Sequence, residues 1–514
     1  MIGRTVWLVE IPDALDADGD PAPLRWSSGG YMSYPDDTPG NAVYWDRVVD
    51  VGPFQSTIWS GGAMAATVQI SSGSVTIANP DGDWDSLDGY AIAGREVIVR
   101  RGPEKGHMPD DFPIYWRGLA GPQEVDWTGV VIPLVSRLDE ALSKPLTEET
   151  YAGDNALPAG VEGGEDLEGK DKPFGLGTIQ YVQPIEVNTS RHIYHVSVDS
   201  GVAGLSSIEA HESAGPITLG AERADVAALE ATAPTSLTFD WCLDDDGLYI
   251  RLGSAPSGVI TVSIVESSPT TSSTASALVA RLLTGPGGLD SGVLDAASFA
   301  AFAAAAPGQA GDWDAGGGSV GDMVARLLAG TGGALVEWLD GTIGIVRPER
   351  AETGSTVAKI REDQFVLGHL PDRMPSAVPP RTVKLAWGHH WTTWTKDTIA
   401  GAMVADLPGL RDADRTVTVD SATVAARYPT SDTLTIETRQ VEKAEAEALA
   451  SWLLAQRALS PPLVVTVHAD DAAGIDIGDR IILQTSRGFD LPAEVTVIGR
   501  DSLAGQDLTS LTVW

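Results

Sequence analysis

The sequence predicts a mainly β fold with an α+β middle region: a β-barrel domain at each end, with intervening β and α+β domains. Three observations lead there. The 56 Gly and 32 Pro are spread through the 514 residues rather than gathered into one tract, which implies many turns between short strands. Runs rich in Val, Ile, Thr and aromatics fill both ends of the chain, some alternating apolar and polar. From Ala275 to Leu328 the apolar period changes to three or four, as in helices with one buried face. At ~100–200 residues per domain, a chain of this length holds several separate cores. Expected segments are 1–145, an N-terminal barrel; 146–200, an acidic Gly-rich loop with connecting strands; 201–270, a small β domain; 271–375, an α+β domain; and 376–514, a C-terminal barrel.

Strands are predicted first at Thr5 to Ile11, Ala65 to Ala78, Arg95 to Arg101, Ile114 to Leu119 and Val130 to Val135, separated by turns of Gly, Pro and Asp. Within the second of these, Val68, Ile70, Val75 and Ile77 are placed to bury one face. From Lys144 to Lys172 the pattern dissolves into Gly, Glu, Asp and Pro, with few large apolar groups to offset the entropy of ordering, so a boundary or exposed loop is expected. Strands resume at Thr178 to Val187, Ile193 to Val198, Ser236 to Trp241, Leu248 to Leu252 and Val259 to Val265, with a hairpin turn at Asp245-Asp246-Gly247. A Ser/Thr-rich linker, Ser267 to Ser276, precedes three helices. These are Ala275 to Leu283, Asp295 to Ala305 with Phe299 and Phe302 on one face, and Ser319 to Leu328 with Ser319 as N-cap. Ala334 to Trp338 and Ile343 to Val346 form a hairpin around Asp340-Gly341. Near the end, a helix from Glu442 to Ala458 offers Ala444, Leu449, Trp452 and Leu453 to a sheet and stops at Pro461-Pro462. Leu463 to Val467, Arg480 to Gln484, Ala493 to Gly499 and Leu508 to Val513 supply four last strands, which a second barrel would close.

Charge excludes more than it identifies. Lys plus Arg number 34 against 71 Asp plus Glu, a formal charge of -37, so the surface repels phosphate backbones and stable nucleic-acid binding is not expected. The single cysteine, Cys242, can form no intrachain disulfide, and folding in a reducing cytoplasm is implied. Met1 to Pro12 carries one Arg and a short apolar run, unlike a signal peptide, and no run approaches the ~20 apolar residues of a membrane span.

Candidate chemistry is sparse. Asp81, Asp83 and Asp85 have the alternate spacing of a calcium loop, but such a loop wants Gly and Glu where Ser86 and Ile92 stand, so acidic turns are the better reading. Asp16, Asp18 and Asp20 fail in the same way. His192 with His195, and His389 with His390, are the close pairs among the eight histidines; both fall in strand-like runs, where His192 and His195 would point to opposite faces. Polar side chains on a sheet are expected rather than metal ligands or acid–base groups. No nucleophile elbow, phosphate loop or Cys–His setting is present. No catalytic, cofactor or metal residue is assigned, and the protein is expected not to be an enzyme. Trp387, Trp391 and Trp394, within a set of 15 tryptophans, leave one alternative open: a carbohydrate-binding or glycan-degrading protein. Sheet cores and subunit contacts are the plainer use of such residues.

Ordered motifs then point to a family. They begin with Val75-Thr-Ile-Ala-Asn-Pro-Asp-Gly-Asp-Trp-Asp-Ser-Leu, Gly94-Arg-Glu-Val-Ile-Val-Arg and Trp116-Arg-Gly. Leu167-Glu-Gly-Lys-Asp-Lys-Pro-Phe-Gly-Leu-Gly, Val182-Gln-Pro-Ile-Glu-Val-Asn and Ile193-Tyr-His-Val follow. Next come Leu294-Asp-Ala-Ala-Ser-Phe, Val320-Gly-Asp-Met-Val-Ala-Arg-Leu-Leu and Trp338-Leu-Asp-Gly-Thr-Ile-Gly. Ala444-Glu-Ala-Glu-Ala-Leu-Ala, Ile475-Asp-Ile-Gly-Asp-Arg-Ile and Leu511-Thr-Val-Trp complete the series. Together they resemble the tail-tip (baseplate) hub proteins of long, non-contractile-tailed bacteriophages and prophages.

The resemblance implies a virion component at the tail tip, made in the host cytoplasm and assembled as a homotrimer on the tail axis. Two tail-tube-like hub barrels per chain would then match a sixfold tube above to a threefold fibre below. Implied partners are the distal tail protein or tail tube above, the central fibre or receptor-binding proteins below, and the tape-measure protein and DNA in transit. An acidic lumen would let DNA pass without sticking. Some relatives hold an iron–sulfur cluster through several cysteines; Cys242 alone cannot, so no cofactor is implied. No receptor-binding or lytic module is expected after Trp514.

Overall fold

A computed structural model describes residues 5–60, 63–199, 205–245, 247–266, 273–349, 355–366, 371–374, 378–457, 462–485, 494–503 and 507–514. The fold is mainly β, with an α+β centre. Ten strands drawn from residues 5–135 make the first sheet, in the order Tyr31–Met32, Val43–Asp46, Leu24–Ser27, Thr5–Ile11, Glu96–Pro103, Ile114–Ala120, Gly129–Val135, Ser74–Ala78 and Val48–Val51, with Glu124–Val125 paired to Gly129–Val135. Val9, Val75, Ile77, Val97, Val99, Val130 and Ile132 fill its interior, one side chain in two along each strand, as period-two burial requires.

The run predicted as a single strand from Ala65 to Ala78 is two strands in two sheets. Ser74–Ala78 stays in the first sheet, while Ala63–Ser72 and its hairpin partner Phe54–Ser60 cross to a ten-stranded sheet built mostly from the end of the chain. Phe54–Ser60 pairs there with Glu494–Leu503, setting Thr57 opposite Gly499. The crossing point is Gly52-Pro53 against Gly73, where the Gly52 N–H donates to Ser74 O at 2.8 Å and the Gly73 N–H to Pro53 O at 3.0 Å. A Cβ on Gly52 would lie 2.7 Å from the Ser74 nitrogen, so only glycine lets the two backbones pass this closely. Val75 and Ile77 therefore enter one core and Ile58 and Val68 another.

The middle is a pair of five-stranded sheets, Gly215–Pro216, Leu205–Glu212, Ile260–Glu266, Phe174–Val182, Gly311–Asp314 and Ile185–Asn188, Ile193–Ser197, Gly247–Leu252, Thr238–Asp244, Thr218–Arg223. Ile179, Val196, Phe239, Ile250 and Val262 meet between them. The turn at Asp245 lies in the expected hairpin, with Asp246 outside the described residues. The acidic stretch from Lys144 to Lys172 is the expected loop, without helix and mostly exposed, and it lies against this unit. Its own backbone bonds hold it, among them Tyr151 N–H to Lys170 O, Gly153 N–H to Glu162 O and Asn155 N–H to Gly163 O. Tyr151, Val161 and Leu167 pack with Val187, Ile193 and Tyr249, so a few apolar anchors suffice once the backbone is satisfied internally.

Of the predicted linker Ser267 to Ser276, residues 267–272 lie outside the described residues, and Ala275 and Ser276 already belong to the first helix. Helices follow at Ala275–Thr284, Ala296–Ala305 and Val320–Leu328, the last opened by a reciprocal capping box between Ser319 and Asp322. Leu278, Leu282, Phe302, Met323, Val324 and Leu327 join Ile58, Val68, Leu335, Ile345 and Ile498 in the largest core. The hairpin Ala334–Glu337 and Ile343–Val346 forms around Gly341, whose φ of 81° suits glycine, and extends the C-terminal sheet.

Residues 382–457 make a smaller unit. Thr382–Trp387 is flanked by Arg415–Asp420 and Thr433–Glu437, and the helix Lys443–Arg457 covers the sheet. Leu449 and Leu453 are buried as expected, Trp452 is half-buried, and Ala444 is exposed; Ala446, Ala450 and Leu454 complete the buried face instead. The last strands, Leu463–His468, Arg480–Gln484, Glu494–Leu503 and Leu508–Val513, share their sheet with Ala358–Arg361, Asp372–Arg373, the 334–346 hairpin and the two strands lent by residues 54–72. The C-terminal sheet thus recruits two strands from residues 54–72 besides those after residue 334.

Candidate functional site

The acidic triplet forms a knitted turn. Arg47 Nη2 donates to Asp81 at 2.6 Å and to Asp83 at 3.1 Å, and the guanidinium holds the Asp81 carboxyl below the usual carboxylate range. Asp85 accepts from the Asn79 amide at 2.7 Å, while Asn79 Oδ1 accepts the Trp84 N–H. Asp16 Oδ1 accepts the backbone N–H groups of Asp18 and Asp20, both at 3.0 Å. Among the described residues no group of three or more His, Cys, Asp and Glu side chains is placed to hold a metal ion.

The histidine pairs separate. His192 sits in the turn before Ile193–Ser197 with φ 54°, not on a strand. His195 is fully buried, stacked on Tyr249 with ring centroids 4.3 Å apart and bonded through Nδ1 to the Tyr151 hydroxyl at 2.8 Å. Burial pushes its pKa down to about 3, so it is a neutral core residue. His389 and His390 follow Thr382–Trp387 in a loop rather than a strand. His389 Nδ1 meets Asp414 at 2.9 Å, and His390 Nε2 lies 3.0 Å from Gln180 Oε1 and 3.1 Å from Arg415 Nη2. Burial, then Arg415, lowers the His390 pKa to about 4. That contact joins the 382–457 unit to the middle sandwich.

The three tryptophans beside these histidines form no open platform for a sugar. Trp394 is buried with Tyr181 edge-on at 5.0 Å, Trp391 donates its indole N–H to Trp313 O at 3.0 Å, and Trp387 lies under the Arg415 guanidinium. Trp391 and Trp394 are seam residues, and Trp387 packs against the core of the 382–457 unit. A second seam contact gives the sequence no visible signal: the fully buried Asp312 accepts from Arg326 Nε at 2.5 Å and Arg439 Nε at 2.8 Å, tying the sandwich edge to a central helix and to the 382–457 unit.

The surface offers a different kind of site. On the edge strand Tyr31–Met32 and its neighbour Val43–Asp46, Tyr31 pairs with Tyr44 and both are buried, while Met32, Val43 and Trp45 share the opposite face and lie 64%, 44% and 56% exposed. The same face carries Trp26, opposite Trp45 in register, yet Trp26 is buried edge-on against Trp84. The apolar face of the first sheet therefore continues past its own core, uncovered. A signal for it exists in the sequence: Val43, Tyr44, Trp45, Val48 and Val49 are apolar at both parities, a pattern of strands covered on both sides. At the tip of another hairpin Trp127 is 95% exposed, on a turn that Asp126 Oδ1 fixes through the N–H groups of Thr128 and Gly129.

No family model matches the chain, and no curated protein matches it. Solved structures do. A tail protein from Neisseria meningitidis MC58 is 10% identical with a TM-score of 0.40, over 94% of this chain and 96% of that one. The 43 kDa tail protein of prophage MuSo2 from Shewanella oneidensis is 9% identical with a TM-score of 0.35, over 92% and 96%. A prophage tail protein from Listeria monocytogenes EGD-e is 7% identical with a TM-score of 0.35, over 98% and 94%. Each of these three solved structures is a tail protein.

Proposed function

We propose that the chain is a structural component of a bacteriophage tail, the hub at the tail tip, and that it works by assembly rather than catalysis. Three copies ring the tail axis, join the tail tube to the central fibre or receptor-binding proteins, and close the DNA channel until infection. The observation that carries this reading is the uncovered face of Met32, Val43 and Trp45, an apolar surface with the exposure of an unmade subunit contact. At ~25 cal/mol/Å², the half of Trp45 still in water represents about 3 kcal/mol of burial to be gained. The excess acidity suits a channel wall past which DNA slides, since counterion release needs basic partners.

The test is the solution mass of the purified chain by light scattering, beside Trp45→Asp. Three chains per particle for the wild type, and single chains for a variant whose circular dichroism is unchanged, are expected. A wild type that stays monomeric at all concentrations, or a variant that assembles as well as the wild type, overturns the assignment of this face.

A further inference from the structure

Residues 388–414 leave the strand Thr382–Trp387 and cross the edge of the middle sandwich as a long strap before the chain re-enters its sheet at Arg415–Asp420. Trp394, Ile399 and Leu410 of the strap are buried with Ala214 of the sandwich in a small core separate from the main ones. The Ala400 N–H donates to Ser213 O at 2.8 Å and the Trp391 N–H to Gln180 O at 3.3 Å, tying the strap down.

The sandwich meets the strap through Tyr181. The strand Phe174–Val182 slips register between Ile179 and Val182, and Tyr181 lies there at φ 56°, a left-handed conformation costly to a residue with a Cβ. Its N–H turns to the Ser263 hydroxyl at 3.0 Å, and its ring is boxed by His211, His390 and Trp394 at centroid distances of 4.8, 4.9 and 5.0 Å. A backbone held this way persists only where its surroundings fix it.

His390 closes that box from the strap side and is 1% exposed. Its Nε2 lies 3.1 Å from Arg415 Nη2, which can only donate, so the bond exists only while Nε2 carries no proton. Its Nδ1 is buried with no hydrogen-bond partner among the described residues. An imidazolium would keep one bond, from Nε2 to Gln180 Oε1 at 3.0 Å, but would set a second cation against the guanidinium and strand an N–H at Nδ1. His389 beside it acts in the same sense; Asp414 opposes, yet that carboxylate is already bonded to His389 Nδ1 at 2.9 Å. Glu209, 3.7 Å from His211 Nε2, and Asp406 of the strap act on His211 and Tyr181. Glu209 and the Thr261 backbone favour the charged form of buried His211, so the geometry singles out His390.

We propose that His390 is a proton-operated fastener: neutral, it holds the strap 388–414 on the sandwich, and its protonation unseats Tyr181 and frees the strap, baring Trp394 and Ile399. In a freed strap the imidazole returns to water and to the ordinary range near ~6.5. In the box, burial and then Arg415 hold it down to about 4, in the same direction as the bonding pattern. A base held below its free value contributes stability that is whole above ~6.5 and is lost as pH falls toward the lowered value, so release answers acid. The fastener belongs to the single chain and stands or falls apart from the hub assignment.

Amide hydrogen exchange of the whole chain, corrected for intrinsic rates, tests it. On going from about pH 7.5 to about pH 5, the protection of Trp391 and Ala400 should fall by about 30-fold, while that of Val383 in the neighbouring strand and Ile250 in the sandwich holds. His390→Gln, with no imidazole to titrate, should flatten that slope. Strap protection equal at the two pH values, a loss shared by Val383 and Ile250, or a slope in His390→Gln equal to that of the wild type overturns the proposal. The wild-type arm decides alone if the variant does not fold.

Discussion

Asp312→Ala is the sharpest perturbation of the seams. Asp312 is fully buried and shared by Arg326, on the central helix Val320–Leu328, and Arg439, between the strand Thr433–Glu437 and the long helix. Removing the carboxylate leaves two guanidiniums, 30% and 13% exposed, with their charge-assisted bonds broken together. Arg326 keeps a weaker contact with Asp314 at 3.3 Å, so the greater loss falls on Arg439. Breaking a buried pair from one side costs about 3–5 kcal/mol, most of it the cost of stranded charge. Replacing the arginine as well should recover part of that loss, because Asp312→Ala with Arg439→Met leaves one stranded cation fewer. Urea unfolding, followed by Trp387 and Trp391 fluorescence against the signal of a variant lacking both, isolates the 382–457 unit. An unfolding free energy for Asp312→Ala within about 1 kcal/mol of wild type would refute the account of this seam.

Two further outcomes are expected. Gly52→Ala forces a methyl to within 2.7 Å of the Ser74 backbone nitrogen at the strand crossing, and should lower the unfolding free energy in urea titrations by about 1–3 kcal/mol, whereas Gly401→Ala, in open space, should not. Ser319→Ala removes the Oγ that accepts the Asp322 N–H at 3.1 Å and should cost about 1 kcal/mol, with Ser319→Asp restoring most of it.

Much of the secondary structure was legible because it is local. Thr5–Ile11, Arg480–Gln484 and Leu508–Val513 coincide with their β-branched runs, and the helix after Ser319 begins where its cap and its period of three to four begin. The turn at Asp340-Gly341 was readable for the same reason. What escaped is long-range or depends on exposure. The transfer of residues 54–72 into a sheet with residues 494–503 leaves only a faint local trace: buried positions slip from even numbers, Ile58 and Val68, to odd ones, Val75 and Ile77, across Gly73. Read as one strand, that slip would put the two pairs on opposite faces. Lys144 to Lys172 is the exposed loop that its polar composition indicates; what composition misses is the set of backbone bonds that hold it. The apolar patch at Trp45 and the buried Asp312 show themselves only once distant segments are packed together.

The account rests on assembly, and imaging of the assembled tail tests it most directly. Particles that contain this chain, imaged at the tail tip with the chain tagged at the exposed Trp127 turn, should show three copies around the axis, with Met32, Val43 and Trp45 covered by a neighbouring chain. One copy, a position along the tail shaft, or a ring that leaves this face in solvent would contradict it.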